Sequence, residues 1–337
     1  MSVTSKEVRL AAEPGHTLQR SDFEIAQVEL AAPGPDEILV RNTWMSIDPN
    51  LGLRLLGRRG EAGDLPRGTV LPGAAVGIVE QSRSPLLHEG ALVRSMNGWR
   101  THFVARADSV EAVDANVPSP SLHLGLLGMT GLTAWVGVEV VLQPQPGDTV
   151  FISSAAGAVG SIACQLARAR GARVLGSAGS KDKADWLVHV LGIDAAVNYR
   201  QASIPEFLER HAPQGLAGYF DNVGGETLNA ALVAMQRFGK VAVCGAIAQY
   251  QGSDYRSGPR EFFSVVEKSL SITGFFWGDH RHRSQAIYAN LLARLVSGTL
   301  VSHEHVLQGI EQAATGLISL YGDSAGRVGK LLVRLHD

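Results

Sequence analysis

The chain has 337 residues, of which 45% are hydrophobic and 18% charged, which is the composition of a globular rather than a disordered protein. The formal net charge of −2 gives no electrostatic reason to expect a nucleic acid or an anionic membrane as a partner. We find no apolar run of about 18 residues and therefore predict no transmembrane helix. The start, MSVTSKEVRLAAEP, lacks the apolar region of a secretion signal, so we expect a cytoplasmic protein.

Metal binding is not favoured by the residues that usually supply ligands. The chain has two cysteines, Cys164 and Cys244, and no CxxC, so we expect neither a disulfide framework nor a thiolate zinc site. Histidines at i and i+2 occur in Asp279–Arg283 and in His303–His305. Because helical metal ligands are spaced i, i+4, we predict that both segments are solvated loops.

The first part of the chain, to about residue 125, is a series of short β-like runs separated by turn signals. Without long helices between them, they predict a compact β-rich domain or partial barrel. Ser46-Ile47-Asp48-Pro49 follows one of these runs, and Asp48 either sets the turn or lines a site. The runs are Phe23–Leu30, Glu37–Met45, Ala74–Glu80, Ala91–Ser95 and Thr101–Ala105.

From Pro120 the pattern changes to helices and then to β–α alternation, which predicts a six-stranded doubly wound parallel sheet. Leu122–Val141 is helical, interrupted at Gly128–Gly131. The predicted strands are Thr149–Ser153, Arg173–Ser177, Ala195–Asn198, Ala217–Asp221, Lys240–Cys244 and Ser271–Phe275. The predicted helices are Ser161–Arg170, Lys183–Leu191, Ile204–His211, Thr227–Met235, Phe262–Lys268, Ser284–Ser297 and Glu311–Leu320. A last strand, Lys330–Leu335, can rejoin the first domain because the sheet already has its six strands.

The turn Ala155–Gly160, an A-x-G-x-x-G sequence, connects the first of these strands to its helix. Gly157 would let the backbone approach a pyrophosphate, and Gly160 would let the helix pack closely on the strand. The helix N-terminus would supply free N–H groups and partial positive charge for phosphates. The alternative is a merely tight turn, and Ala155 in place of a first glycine has no explanation in the sequence.

The end of the second strand favours NADP(H) over NAD(H). An NAD-selecting site places a carboxylate there, about 20 residues past the glycine turn, to bind the ribose hydroxyls. Here the strand runs instead into Gly179, Ser180, Lys181 and Lys183. These donors and cations suit a 2′-phosphate. The alternative is that Ser180 only caps a helix and that the lysines are solvated.

Several motifs, in this order, resemble the zinc-independent branch of the medium-chain dehydrogenase/reductase superfamily. The resemblance is closest to NADPH-dependent alkenal/one double-bond reductases of the prostaglandin, leukotriene and curcumin type, and it covers nearly the whole chain. The motifs are Ser46–Pro49, Gly128–Ala134, Pro146–Val150, Ala155–Gly160, Gly179–Lys183, Tyr219–Gly225, Cys244–Tyr250 and Gly329-Lys330.

The resemblance implies a GroES-like catalytic domain, residues 1–125 completed by 305–337, with an NADP(H)-binding Rossmann domain, residues 126–304, inserted between the two parts. It also implies a homodimer. Zinc-dependent relatives ligate metal with a cysteine in the segment equivalent to Trp44–Asp48, and none stands there in this chain.

The resemblance also assigns site residues by position. Lys183 and Tyr199 are expected to face the 2′-phosphate, and Asn222 and Tyr250 to lie by the nicotinamide ribose. Thr130 and the Phe275-Phe276 pair are expected near the nicotinamide ring. The full expected set is Thr130, Ala156, Gly157, Ala158, Val159, Gly179, Ser180, Lys183, Tyr199, Asn222, Cys244, Gly245, Tyr250, Phe275, Phe276 and Arg327, with no metal ligand.

The chain departs from the family in two segments. The family usually has Tyr-Met-Arg or Ala-Met-Arg after Asp-Pro, where this chain has Asn50-Leu51-Gly52. Near the C-terminus the family has Asn-x-Gly-Lys, where this chain has Arg327-Val328-Gly329-Lys330. Arg327 either contacts a cofactor phosphate or is solvated.

The hypothesised reaction reduces a carbon–carbon double bond conjugated to the carbonyl of a small enone or enal, by hydride transfer from NADPH to the β-carbon. The resulting enolate needs hydrogen-bond donors, and Tyr250 is the candidate catalytic residue. The alternative for Tyr250 is a buried tyrosine whose hydroxyl is satisfied by packing partners. The nearest rival function is an NADPH:quinone oxidoreductase, and a non-catalytic NADPH-binding regulator is the rival from another class.

Overall fold

The computed structural model describes residues 2–57, 65–249, 259–322 and 326–336. The chain forms two compact units. Unit 1 consists of Met1–Leu124, His305–Asp323 and Leu331–Asp337. Unit 2 consists of Gly125–Glu304 and Ser324–Lys330. Each unit therefore contains a segment from the end of the chain.

The described residues form the following strands and α-helices. The strands are β1 (Val3–Leu10), β2 (Phe23–Leu30), β3 (Glu37–Ser46), β4 (Ala75–Ser82), β5 (Leu92–Ser95), β6 (His102–Arg106), β7 (Glu111–Ala112), β8 (Thr149–Ile152), β9 (Arg173–Ala178), β10 (Ala195–Asn198), β11 (Leu216–Asp221), β12 (Met235–Val243), β13 (Ser271–Gly274), β14 (Glu304–Gln308) and β15 (Lys330–Arg334). The α-helices are α1 (Pro49–Leu55), α2 (Met129–Trp135), α3 (Ala158–Ala169), α4 (Lys181–His189), α5 (Ile204–His211), α6 (Gly225–Ala234), α7 (Phe263–Glu267), α8 (Ser284–Val296) and α9 (Ala313–Ser319).

Unit 1 is β-rich, as predicted. Its larger sheet has the order β14-β15-β3-β4-β5-β7, with β6 paired to β3, and β1 and β2 form a separate antiparallel pair. The predicted last strand is observed as β15, antiparallel to β3. Met45, Ile47 and Trp99 are fully buried in its largest apolar cluster, which also takes in Leu331 and Val333 from the end of the chain. β1 was not predicted, because its sequence, VTSKEVRL, has few apolar residues to mark it as a strand.

Unit 2 confirms the predicted doubly wound sheet. Its six strands in the described residues are parallel and have the order β10-β9-β8-β11-β12-β13, in which strand order reverses beside β8. The central strands β8, β9 and β11 are buried over nearly their whole length, as expected for a parallel sheet covered on both faces. In contrast, every residue of the edge strand β13 is exposed.

The first helical segment of unit 2 differs from the prediction. The break in the helical pattern falls before Met129, and Gly131 lies inside α2. A Cβ at Gly131 would lie 1.8 Å from the Leu126 carbonyl oxygen, so this glycine is needed for packing and does not interrupt the helix. The helix continues as a π-helical segment, Val136–Leu142, which ends at Gln143 in the left-handed conformation.

The two histidine segments are also not simple loops. Asp279–Arg283 lies in a 3-10 helix, Trp277–Arg283, without buried residues. The prediction that His303–His305 is a solvated loop is wrong, because β14 begins at Glu304 and the His303 ring packs against Trp186. No helix of the described residues has the length and apolar character needed to cross a membrane.

Candidate functional site

The glycine turn, Ser154–Gly160, leaves the carboxyl end of β8 at the edge where parallel sheets bind ligands. The Gly157 N–H donates to the Ser154 carbonyl at 2.9 Å, and the Ala155 N–H donates to the Ser177 carbonyl at 2.9 Å. The left-handed backbone conformation falls on Ser154, with φ of 50°, and not on Ala155. Because Ala155 does not need a positive φ, an alanine is tolerated where the fingerprint has its first glycine, and its side chain is fully buried.

The structure explains why glycine stands at the other two glycine positions of the turn. A Cβ at Gly160 would lie 2.3 Å from the Ser154 carbonyl oxygen, so only glycine lets α3 start this close to the strand. Gly157 is the N-cap of α3 and has no side chain to accept the first helical N–H groups. Those N–H groups have no acceptor inside the helix. The start of α3 therefore presents helical N–H groups that a glycine N-cap leaves uncapped, the arrangement that binds a pyrophosphate at a helix N-terminus.

The end of β9 carries polar groups but no carboxylate. Ser180 caps α4, and its Oγ accepts a hydrogen bond from the Lys183 N–H at 3.4 Å, so the capping role considered for Ser180 is observed. Lys183 is only 8% exposed, so it is not the solvated lysine of the alternative interpretation. Lys181, in contrast, is exposed and pairs with Asp185 on the same helix.

Tyr199 lies beside this end of β9. It follows β10, and its N–H donates to the Ala178 carbonyl at 3.1 Å. Its hydroxyl would lie 3.0 Å from a Cβ at Gly179, so the glycine leaves room for the tyrosine. With 48% of its surface exposed, Tyr199 can contact a ligand. A buried lysine, a capping serine and a tyrosine hydroxyl form a set of donors that fits a 2′-phosphate.

The neighbouring strand ends hold three more predicted residues. The Asn222 side chain donates from Nδ2 to the Ser153 carbonyl at 2.8 Å, and its N–H donates to Ser153 Oγ at 2.9 Å. Cys244 and Gly245 both donate their N–H groups to the Asp221 carbonyl, at 2.8 and 3.1 Å. Asn222, Cys244 and Gly245 are thus held at the carboxyl ends of adjacent strands.

Asp221, the last residue of β11, shapes this part of the site, although no role was predicted for it. Its Oδ1 accepts hydrogen bonds from the Tyr219 hydroxyl at 2.7 Å and from the Val223 and Gly224 N–H groups at 2.9 and 2.8 Å. Burial raises the pKa of Asp221 even though these bonds lower it. Burial, reinforced by the Asp221 charge, also raises the pKa of Cys244 to about 12, so this thiol stays protonated near neutral pH.

The other predicted site residues are more dispersed. Thr130 is buried on α2. The Phe275 ring meets Phe220 edge-on with centroids 6.0 Å apart, whereas Phe276 is exposed. Arg327 is partly buried in unit 2, and this burial lowers its pKa. Tyr250 lies outside the described residues.

The segment after Pro49 shows how one departure from the family is accommodated in unit 1. Ser46 Oγ donates to Asp48 Oδ2 at 2.6 Å, and Asp48 is the N-cap residue of α1, although its side chain makes no capping hydrogen bond. A Cβ at Gly52 would lie 2.3 Å from the Tyr321 hydroxyl oxygen. The same hydroxyl donates to the Pro49 carbonyl. Tyr321 therefore fills the space beside Gly52.

Known proteins resemble this chain over both units. A family model described as the N-terminal domain of oxidoreductase matches residues 6–113, and one described as zinc-binding dehydrogenase matches residues 158–296. The 2-alkenal reductase (NADP(+)-dependent) of Nicotiana tabacum is 35% identical over 98% of this chain and 97% of its own length. Prostaglandin reductase 1 of Bos taurus is 36% identical over 91% of this chain and 93% of its own length. The chain belongs to the medium-chain dehydrogenase/reductase superfamily.

Two further comparisons agree with this assignment to the medium-chain dehydrogenases/reductases. The (+)-pulegone reductase of Mentha piperita is 33% identical over 95% of both chains. The crystal structure of CurA from Vibrio vulnificus matches with a TM-score of 0.91 and 28% identity over 99% of both chains, and CurA has also been solved in complex with NADPH. In this medium-chain reductase, the described residues contain no group of three or more His, Cys, Asp or Glu side chains suited to a metal ion.

Proposed function

We propose that the protein reduces the carbon–carbon double bond of α,β-unsaturated ketones and aldehydes, with NADPH as the hydride donor. The observation that carries the proposal is the similarity, over at least nine-tenths of this chain, to reductases named for alkenals, prostaglandins and pulegone. The chain is an NADP(H)-dependent oxidoreductase. The choice of substrate and the assignment of site residues are our proposals.

The cofactor phosphates are assigned to two groups of residues. We propose that the N–H groups around Gly157 bind the pyrophosphate, since the first N–H groups of α3 have no acceptor inside the helix and Gly157 has no side chain in the way. Ser180, Lys183 and Tyr199, at the acid-free end of β9, bind the 2′-phosphate. Ala156, Ala158, Val159 and Gly179 complete these two groups.

The nicotinamide half is assigned to the ends of β11, β12 and β13. Asn222 is fixed by two hydrogen bonds to Ser153, which suits a side chain that has to orient a ribose. We place Cys244 and Gly245 in the same part of the site, and Thr130, Phe275 and Phe276 near the ring. Arg327 is assigned to a cofactor phosphate. When bound, NADPH supplies the hydride.

Addition of hydride to the β-carbon moves charge onto the carbonyl oxygen, and the α-carbon then takes a proton. A hydrogen-bond donor at that oxygen lowers the barrier by stabilising the enolate. Tyr250 remains the proposed donor on sequence grounds. Since Cys244 holds its proton near neutral pH, we do not expect it to add to the electrophilic alkene.

The test is NADPH oxidation with 3-nonen-2-one, a panel of 2-alkenals and a naphthoquinone, with product analysis by mass spectrometry. We expect turnover of the enone and the alkenals and a product two hydrogens heavier that retains the carbonyl group. Turnover of the quinone alone would contradict the proposal and identify the protein as an NADPH:quinone oxidoreductase. NADPH binding without turnover of any compound would favour a regulatory protein.

The proposed role of Tyr250 has its own test. If its hydroxyl stabilises the enolate, Tyr250→Phe should lower kcat on 3-nonen-2-one by about 100- to 1,000-fold, the size of effect seen when one such donor is removed. NADPH binding, measured by fluorescence titration, should change little. Unchanged turnover would exclude Tyr250 as the donor.

We also propose that the protein is a homodimer assembled through the β13 edge of the unit 2 sheet. Every residue of β13 is exposed, and Phe262, Phe263 and Val266 form exposed apolar surface on the segment that precedes it. A second copy would pair with the open strand edge. Light scattering should give the dimer mass, and Ile272→Lys should shift it toward the monomer.

A cytoplasmic location and the absence of nucleic-acid or membrane partners stay predictions of the sequence. Cell fractionation of the tagged protein tests the location. Binding assays with duplex DNA and with anionic vesicles test the partners, and we expect no binding at physiological salt.

A further inference from the structure

A segment near the C-terminus contacts the glycine turn within unit 2. This return segment, Gly326–Lys330, reaches the turn through Gly329, whose N–H donates to the Ala156 carbonyl at 2.9 Å. Gly157 and Gly329 also form a parallel β-bridge. The backbone proposed to bind the pyrophosphate is therefore held from outside the β8–α3 connection.

The return segment is in turn held by a loop, Val301–His303, which we call the latch loop. The His303 carbonyl accepts a hydrogen bond from the Lys330 N–H at 2.8 Å. A Cβ at Gly329 would lie 1.9 Å from the same carbonyl oxygen, so the two backbones touch at this point. A shift of the latch loop would therefore be transmitted to Gly329.

Gln165 of α3 fixes the latch loop with both ends of its side-chain amide. Its Nε2 donates to the Val301 carbonyl at 3.0 Å, and its Oε1 accepts from the Val301 N–H at 2.8 Å. At the other end of the loop, the His303 ring packs edge-on against Trp186 of α4, with centroids 4.7 Å apart. The latch loop is thus tied to the two helices that begin at the two proposed phosphate sites.

We propose that Gln165 is a positioning residue for the bound dinucleotide, because through Val301–His303 it holds Gly329 against the glycine turn. The inference rests on the proposed NADP(H) site. A turn already held in the binding geometry binds more tightly because less ordering is needed on binding. The pyrophosphate is common to NADPH and NADH, so the effect of Gln165 should be the same for both.

The experiment compares Gln165→Leu with Arg168→Leu in the full-length protein. Arg168, also on α3, donates to the Leu191 carbonyl at 2.9 Å, so its replacement removes a side-chain-to-loop bond away from the turn. Dissociation constants for NADPH and for NADH are measured by tryptophan fluorescence titration, alongside the melting temperature and kcat at saturating NADPH.

We expect Gln165→Leu to raise both dissociation constants by the same factor, about three- to tenfold, as lost hydrogen bonds of this kind predict. We expect kcat at saturating NADPH to stay within about twofold, and Arg168→Leu to leave both dissociation constants unchanged. Unchanged dissociation constants with a lowered melting temperature would overturn the proposal, and so would weakening of NADPH alone.

Hydrogen exchange of the unaltered protein gives a second test that needs no variant. By linkage, NADPH binding should slow exchange of the Val301 and Gly329 amides, the donors that close the connection. Unchanged exchange at both amides would overturn the inference even if Gln165→Leu does not fold. Failure of the unaltered protein to bind either dinucleotide would instead remove the proposed function, and the inference with it.

Discussion

The two proposed phosphate sites of unit 2 differ in the groups that would bind the phosphate. The glycine turn offers backbone N–H groups and excludes side chains, since a Cβ at Gly160 would meet the Ser154 carbonyl oxygen at 2.3 Å. The end of β9 offers side chains, Ser180, Lys183 and Tyr199. A backbone site recognises what all dinucleotides share, whereas a side-chain site distinguishes one dinucleotide from another. The first should therefore set affinity and the second selectivity.

The largest expected effect comes from Gly329→Ala, which disturbs the backbone site. The residue has φ of 73° and no room for a Cβ beside the His303 carbonyl oxygen. A left-handed alanine and the clash together should cost about 2–4 kcal/mol of unfolding free energy. Titration calorimetry should show that the binding of NADPH and the binding of NADH are weakened by the same factor.

Gly326→Ala is the matched control for this change. Gly326 has nearly the same φ, 72°, but nothing lies within 4 Å of a Cβ there. It therefore carries the conformational cost without the clash. Equal losses in the two variants would show that contact between the return segment and the latch loop contributes nothing.

Lys183→Ala should have the next largest effect, confined to one cofactor. Loss of a charge-assisted contact with the 2′-phosphate predicts NADPH binding weaker by about 10- to 100-fold, with NADH unchanged. Steady-state KM values for the two cofactors measure the difference. Lys181→Ala is the control because Lys181 is exposed and paired with Asp185. Equal effects of Lys183→Ala on both cofactors would remove Lys183 from this role.

Arg327→Gln should weaken both cofactors by a smaller factor, about three- to tenfold. One residue, Val328, separates Arg327 from Gly329. The Gly329 N–H donates to the Ala156 carbonyl of the glycine turn, so we expect the pyrophosphate to be the partner of Arg327. Arg327→Lys should recover part of the loss because it keeps the charge. The dissociation constant of each cofactor is measured by fluorescence titration. An unchanged dissociation constant for both cofactors would show that the Arg327 side chain is only solvated.

Ser180→Ala should have the smallest effect, because a neutral hydroxyl is a weaker phosphate donor than a charged side chain. The change also removes a helix cap. The cap alone is worth about 1 kcal/mol of unfolding free energy, but glycine at an N-cap costs only a few tenths. Ser180→Gly therefore separates the two roles. If the hydroxyl binds the 2′-phosphate, both variants should weaken NADPH by about three- to fivefold, whereas a role in capping alone would leave Ser180→Gly unaffected.

The fold of unit 2 could be predicted because each element is marked locally. Parallel strands buried on both faces appear as apolar runs, and the turns between them carry Gly, Pro and Asp. β1 and β14 were missed because VTSKEVRL and EHVLQ show no such pattern. They become strands because they pair with β2 and β15, and a short stretch of sequence read by itself does not show that pairing.

The sequence by itself determined the family, the glycine turn and the acid-free end of the second strand, because these depend on residues close together in the chain. Only the tertiary structure placed the positive φ on Ser154 and so explained Ala155. Only the tertiary structure joined Gln165, Val301, His303 and Gly329, since hydrogen bonds between residues so far apart in the chain exist only after folding.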